Sequence, residues 1–316
     1  MRVLSLTLAL LCSVPAAADA DGQWSPAGRL DAPRAGLAAV VLDETLYAAG
    51  GAGLTTPRTE FESYDAELDR WFPETPLPIG LERFGMAVSG ERIYAAGGYA
   101  QGELGGVGPS PAMWSWSAQS RVWQSEAPMP APRADFALVA VDSRLYAIGG
   151  SHDDATLFVF DPEAREWESR EIPAGVTRAA SSAVVSDGRI YMIGGFAAGR
   201  ASDRVDIYDV EADAWTRGPD LPEARGGAAI AMADDGRIHL FGGRGGDGNV
   251  TLDRHSSWMP GDAGWRQEAA LPSPRTNAAA AALRGGIFVV GGGAGGGFFA
   301  PFTALDSTDV FEQGAD

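Results

Sequence analysis

Cysteine is almost missing: Cys12 is the single one in 316 residues. It falls in an N-terminal stretch that reads as a cleaved leader, so the mature chain is expected to hold no disulfide and no reactive thiol. Lysine is missing altogether. All 24 basic residues are arginine, which excludes covalent catalysis through a lysine amine. Histidine is scarce, with only 3 copies. Positive charge is outweighed by 42 acidic residues, and the net charge of −18 opposes nucleic acid and anionic lipid at long range. No apolar run reaches the roughly 20 residues that a membrane span needs. Residues 1–20 instead resemble a secretory signal: Arg2, then Leu4 to Val14, then Ala18-Asp19-Ala20 as a small-x-small cleavage site. Leu11 precedes Cys12 where a lipoprotein signal carries a small residue. The expectation is a soluble product, exported to the periplasm or secreted, with residues 21–316 forming one domain.

What is abundant is glycine, and it is periodic. Diglycines stand at Gly50-Gly51, Gly97-Gly98, Gly149-Gly150, Gly194-Gly195, Gly242-Gly243 and Gly291-Gly292. Their spacings of 47, 52, 45, 48 and 49 residues lie in the range of repeat architectures. Each pair ends a short apolar strand such as Leu145-Tyr146-Ala147-Ile148. After it come an aromatic and a tryptophan seven residues apart: Tyr64 and Trp71, Trp116 and Trp123, Phe160 and Trp167, Tyr208 and Trp215, Trp258 and Trp265. The sixth unit stops after Phe311-Glu312, and its missing tryptophan is Trp24 near the other end. A small, apolar strand opens each unit, and turns such as Asp187-Gly188 suit tight hairpins. The pattern is all-β.

The diglycine after an Ile/Leu-Tyr strand, the Tyr-Asp, the Trp and the Pro-x-x-Arg-like lead-in resemble the kelch repeat. The resemblance covers about residues 22–316, with His239 and Phe288 replacing the strand tyrosine in the fifth and sixth copies. It implies a six-bladed β-propeller of four-stranded blades. The last blade is expected to close by pairing the segment around Trp24 with the strand near Asp309 to Glu312, because an open ring would leave sheet edges exposed.

Arg34, Arg83, Arg133, Arg178, Arg225 and Arg275 each precede an innermost strand, at spacings of 49, 50, 45, 47 and 50 residues. Equivalent positions in a closed ring converge at one channel mouth. The resemblance places the post-diglycine loops on that face, bringing Tyr99, His152, Phe196 and Arg244 beside the arginines. Two readings stand. The arginines bond to carbonyls and acidic neighbours and hold the fold, or they form an anion-binding mouth, since guanidinium forks match carboxylates. Trp114 is off the repeat register and is a candidate ligand contact, while the other tryptophans are expected between blades. His239 alternates with apolar neighbours and reads as packed. His152-Asp153-Asp154 reads as a polar loop rather than a metal site or base. Gly245-Gly246-Asp247-Gly248-Asn249 lacks the acidic spacing of a calcium loop. The run Gly102 to Gly108 has no Lys-Ser/Thr after it and is a poor phosphate loop. Phe298, Phe299 and Phe302 form an apolar patch or a loop plug.

No metal, cofactor or catalytic constellation is indicated. The leading reading is a binding protein that takes an acidic small molecule, a glycan or a protein partner at the loop face, without nucleic acid and without membrane insertion. The alternative is a carbohydrate-active enzyme resembling N-acetylneuraminate epimerase, with Glu60, Glu62, Asp135 or Glu103 as acid/base. A galactose-oxidase-like copper site is set aside, because it needs a Cys-linked tyrosine and the mature chain has no Cys.

Overall fold

Each diglycine is a place where two backbones come too close for a side chain. In the computed structural model, which describes residues 22–54, 56–102, 104–151, 156–295 and 301–314, both glycines of every pair have positive φ. A Cβ on the first glycine would lie 2.1–2.8 Å from a carbonyl oxygen of the next unit. The N–H of the second glycine donates to that same oxygen. The acceptors are Leu81 for Gly51, Arg133 for Gly98, Arg178 for Gly150, Arg225 for Gly195, Arg275 for Gly243 and Arg34 for Gly292, at 2.7–3.0 Å. Glycine alone gives the needed backbone region and approach without cost.

These contacts arrange six antiparallel four-stranded sheets. Blade one is Ala35–Leu42, Thr45–Ala52, Phe61–Asp65 and Arg70–Pro73; blade three is Ala137–Val141, Arg144–Ile148, Thr156–Asp161 and Glu166–Glu171. Each innermost strand packs against those of both neighbours, and blade six meets blade one, so the ring is closed. Blade six is made of Ala279–Leu283, Gly286–Val290, Thr308–Gln313 and the N-terminal strand Gly22–Ala27. Trp24 stands opposite Phe311 in that pairing, as the missing-tryptophan argument requires.

The apolar core is divided into wedges between blades. The outer tryptophans cross those wedges. Trp71, Trp123, Trp167, Trp265 and Trp24 each donate an indole N–H to a carbonyl of the preceding blade, respectively that of Gly28, Thr75, Ala127, Pro219 and Ala269, at 2.9–3.0 Å. A buried indole N–H needs such a partner.

Candidate functional site

The channel mouth is built by the segments that lead into the innermost strands. Six residues there form a closed circle of backbone hydrogen bonds. Gly36 donates to Asn277, Asn277 to Gly227, Gly227 to Ala180, Ala180 to Asp135, Asp135 to Arg83 and Arg83 to Gly36, at 2.7–3.0 Å. All six have φ between 50° and 71°. This left-handed region costs a residue with a Cβ roughly 1–2 kcal/mol, and the circle of hydrogen bonds holds it in place. The axial channel behind it has a volume of about 230 Å3 and small walls, including Ala39, Ala137, Ser182 and Ala280.

The circle corrects the sequence reading of the arginines. Arg83 belongs to it, whereas the residue of blade two that matches Arg34, Arg133, Arg178, Arg225 and Arg275 is Leu81. The carbonyl of Leu81 is the one that accepts from a diglycine. The spacing held the clue: Leu81 reproduces the first two diglycine intervals of 47 and 52, and Arg83 does not.

The five true equivalents do not face solvent. Arg34, Arg133, Arg178, Arg225 and Arg275 are 0–3% exposed. Arg34 pairs with Glu62 and also donates to the Glu60 carbonyl at 3.2 Å. Arg178 meets Asp206 at 2.7 Å, and Arg275 meets Asp309. Arg133 donates to the carbonyls of Ala147 and Thr156 and lies 4.1 Å from the Phe158 ring centre. Arg225 donates to the Leu240 carbonyl at 3.3 Å. Burial pushes the guanidinium pKa of Arg34, Arg178 and Arg275 below the ordinary value, and their carboxylates oppose that shift. These side chains bolt their own blades together and are not a ligand ring. Trp114 is also corrected. Its register position, opposite Ala95, is the one Glu62 occupies opposite Ala48, and it packs half-buried on the cluster that contains Leu81.

What remains at the mouth is asymmetric. Arg83 lies 3.6 Å from Asp135, and its guanidinium stands 5.9 Å from the centre of the Tyr99 ring. The Tyr99 hydroxyl is 3.2 Å from Asp135 Oδ2 and 3.0 Å from Ser151 Oγ. Burial raises the Tyr99 phenol above its usual range, so it stays protonated. Glu82, beside them, is also raised by burial. Across the opening Arg244 lies 5.2 Å from the Phe196 ring centre, and its Nε is buried without a hydrogen-bond partner. Burial lowers the Arg244 pKa, and Arg83's charge lowers it further. Ser151 was not anticipated from sequence, although it directly follows a diglycine. Leu54, Leu104, Val107, Val250 and Phe302, on the post-diglycine loops of blades one, two, five and six, are exposed apolar side chains.

Of the proposed acid/base residues, Glu62 is consumed by Arg34 and Glu60 pairs with Arg58, which leaves Asp135 at the mouth. His152, Glu103, Phe298, Phe299 and the leader lie outside the described residues. Among the described residues, no helix is long and apolar enough to cross a membrane.

Comparison with known proteins agrees with this architecture. A family model described as the KLHDC2/KLHL20/DRC7 Kelch-repeats domain matches residues 86–256. Kelch-like protein 36 of Mus musculus is 26% identical over 221 residues, which is 65% of this chain and 35% of that protein. Kelch-like protein 23 of Homo sapiens is 29% identical over 189 residues, covering 59% of this chain and 33% of its own. The chain thus spans about a third of the length of the curated relatives it matches. The structure of YjhT superposes with a TM-score of 0.76 at 15% identity, covering 90% of this chain and 96% of that one, which shows the shared fold.

Proposed function

Because the chain belongs to the kelch-repeat family, we propose that it is a partner-binding propeller whose channel mouth receives a carboxylate carried by a protein partner. The observation that carries this reading is the broken symmetry of the mouth. Blades one, four and five contribute Gly36, Ala180 and Gly227 to the circle, while blades two and three contribute Arg83 and Asp135, and Arg244 stands across from them. Arg244 is half-buried and makes no ion pair among the described residues, so the accessible part of its guanidinium is left for a partner's carboxylate. The exposed apolar loop residues around the opening give the rest of a partner surface, in the manner of a charged anchor with an apolar surround. The leader-like residues 1–20 would have the protein meet that partner after export.

Thermal-shift titration with short peptides carrying glutamate among apolar residues tests this, with glucuronate and N-acetylneuraminate as small carboxylates. Binding to the folded state raises apparent stability by mass action. The expected result is a salt-sensitive shift with the acidic peptides that is weakened about 10- to 100-fold in affinity by Arg83→Ala or Arg244→Ala, the scale of one charge-assisted hydrogen bond. No shift with any carboxylate rejects the reading.

A second reading rests on Asp135. It is held between the Arg83 guanidinium and the Tyr99 hydroxyl, where a carboxylated sugar bound by Arg83 would meet an acid/base group. Acceleration of anomer exchange, followed by NMR and lost in Asp135→Asn, would favour it; unchanged exchange rates remove it.

A further inference from the structure

Two of the chain's three histidines are buried against each other where the ring closes. His239 is on the strand Ile238–Phe241 and His255 on the neighbouring His255–Trp258. His239 Nδ1 lies 2.9 Å from His255 Nε2, and His255 Nδ1 lies 3.1 Å from the Ala269 carbonyl. A carbonyl only accepts, so His255 carries its proton on Nδ1 and accepts at Nε2. His239 must then donate from Nδ1 and accept at Nε2. Gln313 Nε2 is 3.0 Å from that Nε2 and supplies the donor. Both rings are neutral, and both tautomers are fixed.

The partners of this chain belong to the closure. Gln313 and Phe311 are on the C-terminal strand, with the Phe311 ring 4.5 Å from His255. Trp24, on the N-terminal strand, lies 5.7 Å from His255 and donates to the same Ala269 carbonyl. The repeat does not require histidine at either place. His239 stands where the other blades have Tyr47, Tyr94, Tyr146, Tyr191 and Phe288, and His255 where they have Phe61, Met113, Leu157, Val205 and Thr308.

We propose that the His239–His255 pair is an acid-sensitive latch. Protonation of these rings releases the strands Thr308–Gln313 and Gly22–Ala27 from blade five and loosens the closed ring. The hydrogen-bond chain can take one proton, at His239 Nε2, only if the Gln313 amide gives up its donor bond there and turns over to offer oxygen. A second proton would set two N–H groups and two charges against each other across 2.9 Å. The charged groups acting on the pair do not offset this. Asp235 favours a charge on His239 but Arg237 opposes it, and Arg225 opposes one on His255. From the closing strands the described neighbours are the uncharged Trp24, Phe311 and Gln313. Burial is the first cause in pushing His239 down to about 4 and His255 to about 3.

The sign follows from linkage. Unfolded histidine titrates near 6.5, so the unfolded chain binds protons that the closed ring refuses. Stability is complete above that pH and is lost as pH falls from about 6.5 toward about 4. Between pH 7 and pH 5 the two sites together lower the folding equilibrium constant on the order of several-hundred-fold. Carboxylates with depressed pKa, such as Glu60 and Glu168, lose their contribution below this window.

The test is hydrogen exchange of the purified chain at pH 7 and pH 5, corrected for intrinsic exchange rates, together with thermal unfolding. The expected result is a lower Tm at pH 5, with amides of 22–27 and 308–313 losing protection before those of 137–148. The variant His239→Phe with His255→Leu installs residues that the repeat uses elsewhere, and its Tm should vary much less over this range. A flat Tm in the unmodified chain, or protection lost equally in all blades, overturns the latch. If the double variant does not fold, the exchange pattern of the unmodified chain decides alone.

Discussion

Blades four and five enter the ring in the same way but are held differently. Each begins with an arginine whose carbonyl accepts a diglycine N–H, Arg178 and Arg225, and each arginine is 2% exposed. In blade four the guanidinium meets Asp206 at 2.7 Å and also donates to the carbonyls of Gly194 and Val176. In blade five the same register position holds Ser256, opposite Leu240 as Asp206 is opposite Met192. Arg225 keeps the Leu240 carbonyl, its Nε has no partner, and burial pushes its pKa down to about 10. The other blades extend the series. Blades one and six carry Glu62 and Asp309, blade three puts Phe158 under its arginine, and blade two drops both members for Leu81 and Trp114. The backbone contact is what the propeller requires. The buried charge is one of several ways to fill the space beneath it.

Removing one member of the blade-four pair should have the largest effect. Asp206→Ala leaves a buried guanidinium without its counter-ion, which typically costs about 3–5 kcal/mol. Urea or heat unfolding should show it as a clear loss of midpoint. Replacing both members, as in Arg178→Leu with Asp206→Leu, should cost less than the single change, because the only charge then left without its carboxylate is that of the partly exposed Arg204. Equal losses would mean that the pair holds blade four through packing alone.

Blade five should respond in the opposite sense. Arg225→Met removes a charge that makes no ion pair among the described residues and is offset only at a distance by Glu223, so stability should change by no more than about 1 kcal/mol or rise. Ser256→Asp supplies the missing carboxylate and should raise stability by roughly 1 kcal/mol. If Arg225→Met costs as much as Asp206→Ala, the distinction between the two blades fails.

The propeller was legible because its determinants are local and repeated. A diglycine needs no partner's identity to be recognised, and six copies fix blade number, strand order and the role of Trp24. The mouth was less legible because it depends on register. Arg83 and Arg133 look alike in sequence, each just ahead of a small-residue strand. A two-residue offset puts one on the circle and the other inside a blade. Whether a buried arginine faces a carboxylate is set by a residue about 30 positions away on another strand, as with Arg34 and Glu62. Trp114 shows the same limit: off the tryptophan register, it fills the acid's place. The His239–His255 hydrogen bond joins two positions where blade one only stacks Tyr47 on Phe61 and the other blades pair an aromatic with Met113, Leu157, Val205 or Thr308, so no repeat pattern announces it.

The smallest expected effect on stability separates Arg83 from the arginines it resembles. Its side chain is 29% exposed, and its ion pair with Asp135 spans 3.6 Å at the solvent-facing mouth. Such a pair is worth roughly 0.2–1 kcal/mol. Arg83 also sits at φ 51°, where blades one and five use Gly36 and Gly227. Arg83→Gly therefore loses the weak ion pair but relieves a left-handed residue with a Cβ, a relief of roughly 1 kcal/mol. The two terms nearly cancel, so the unfolding midpoint should be almost unchanged while binding of an acidic peptide is weakened. A loss of stability on the scale of Asp206→Ala would instead place Arg83 among the residues that hold the blades, and the carboxylate-binding reading of the mouth would then rest on Arg244 alone.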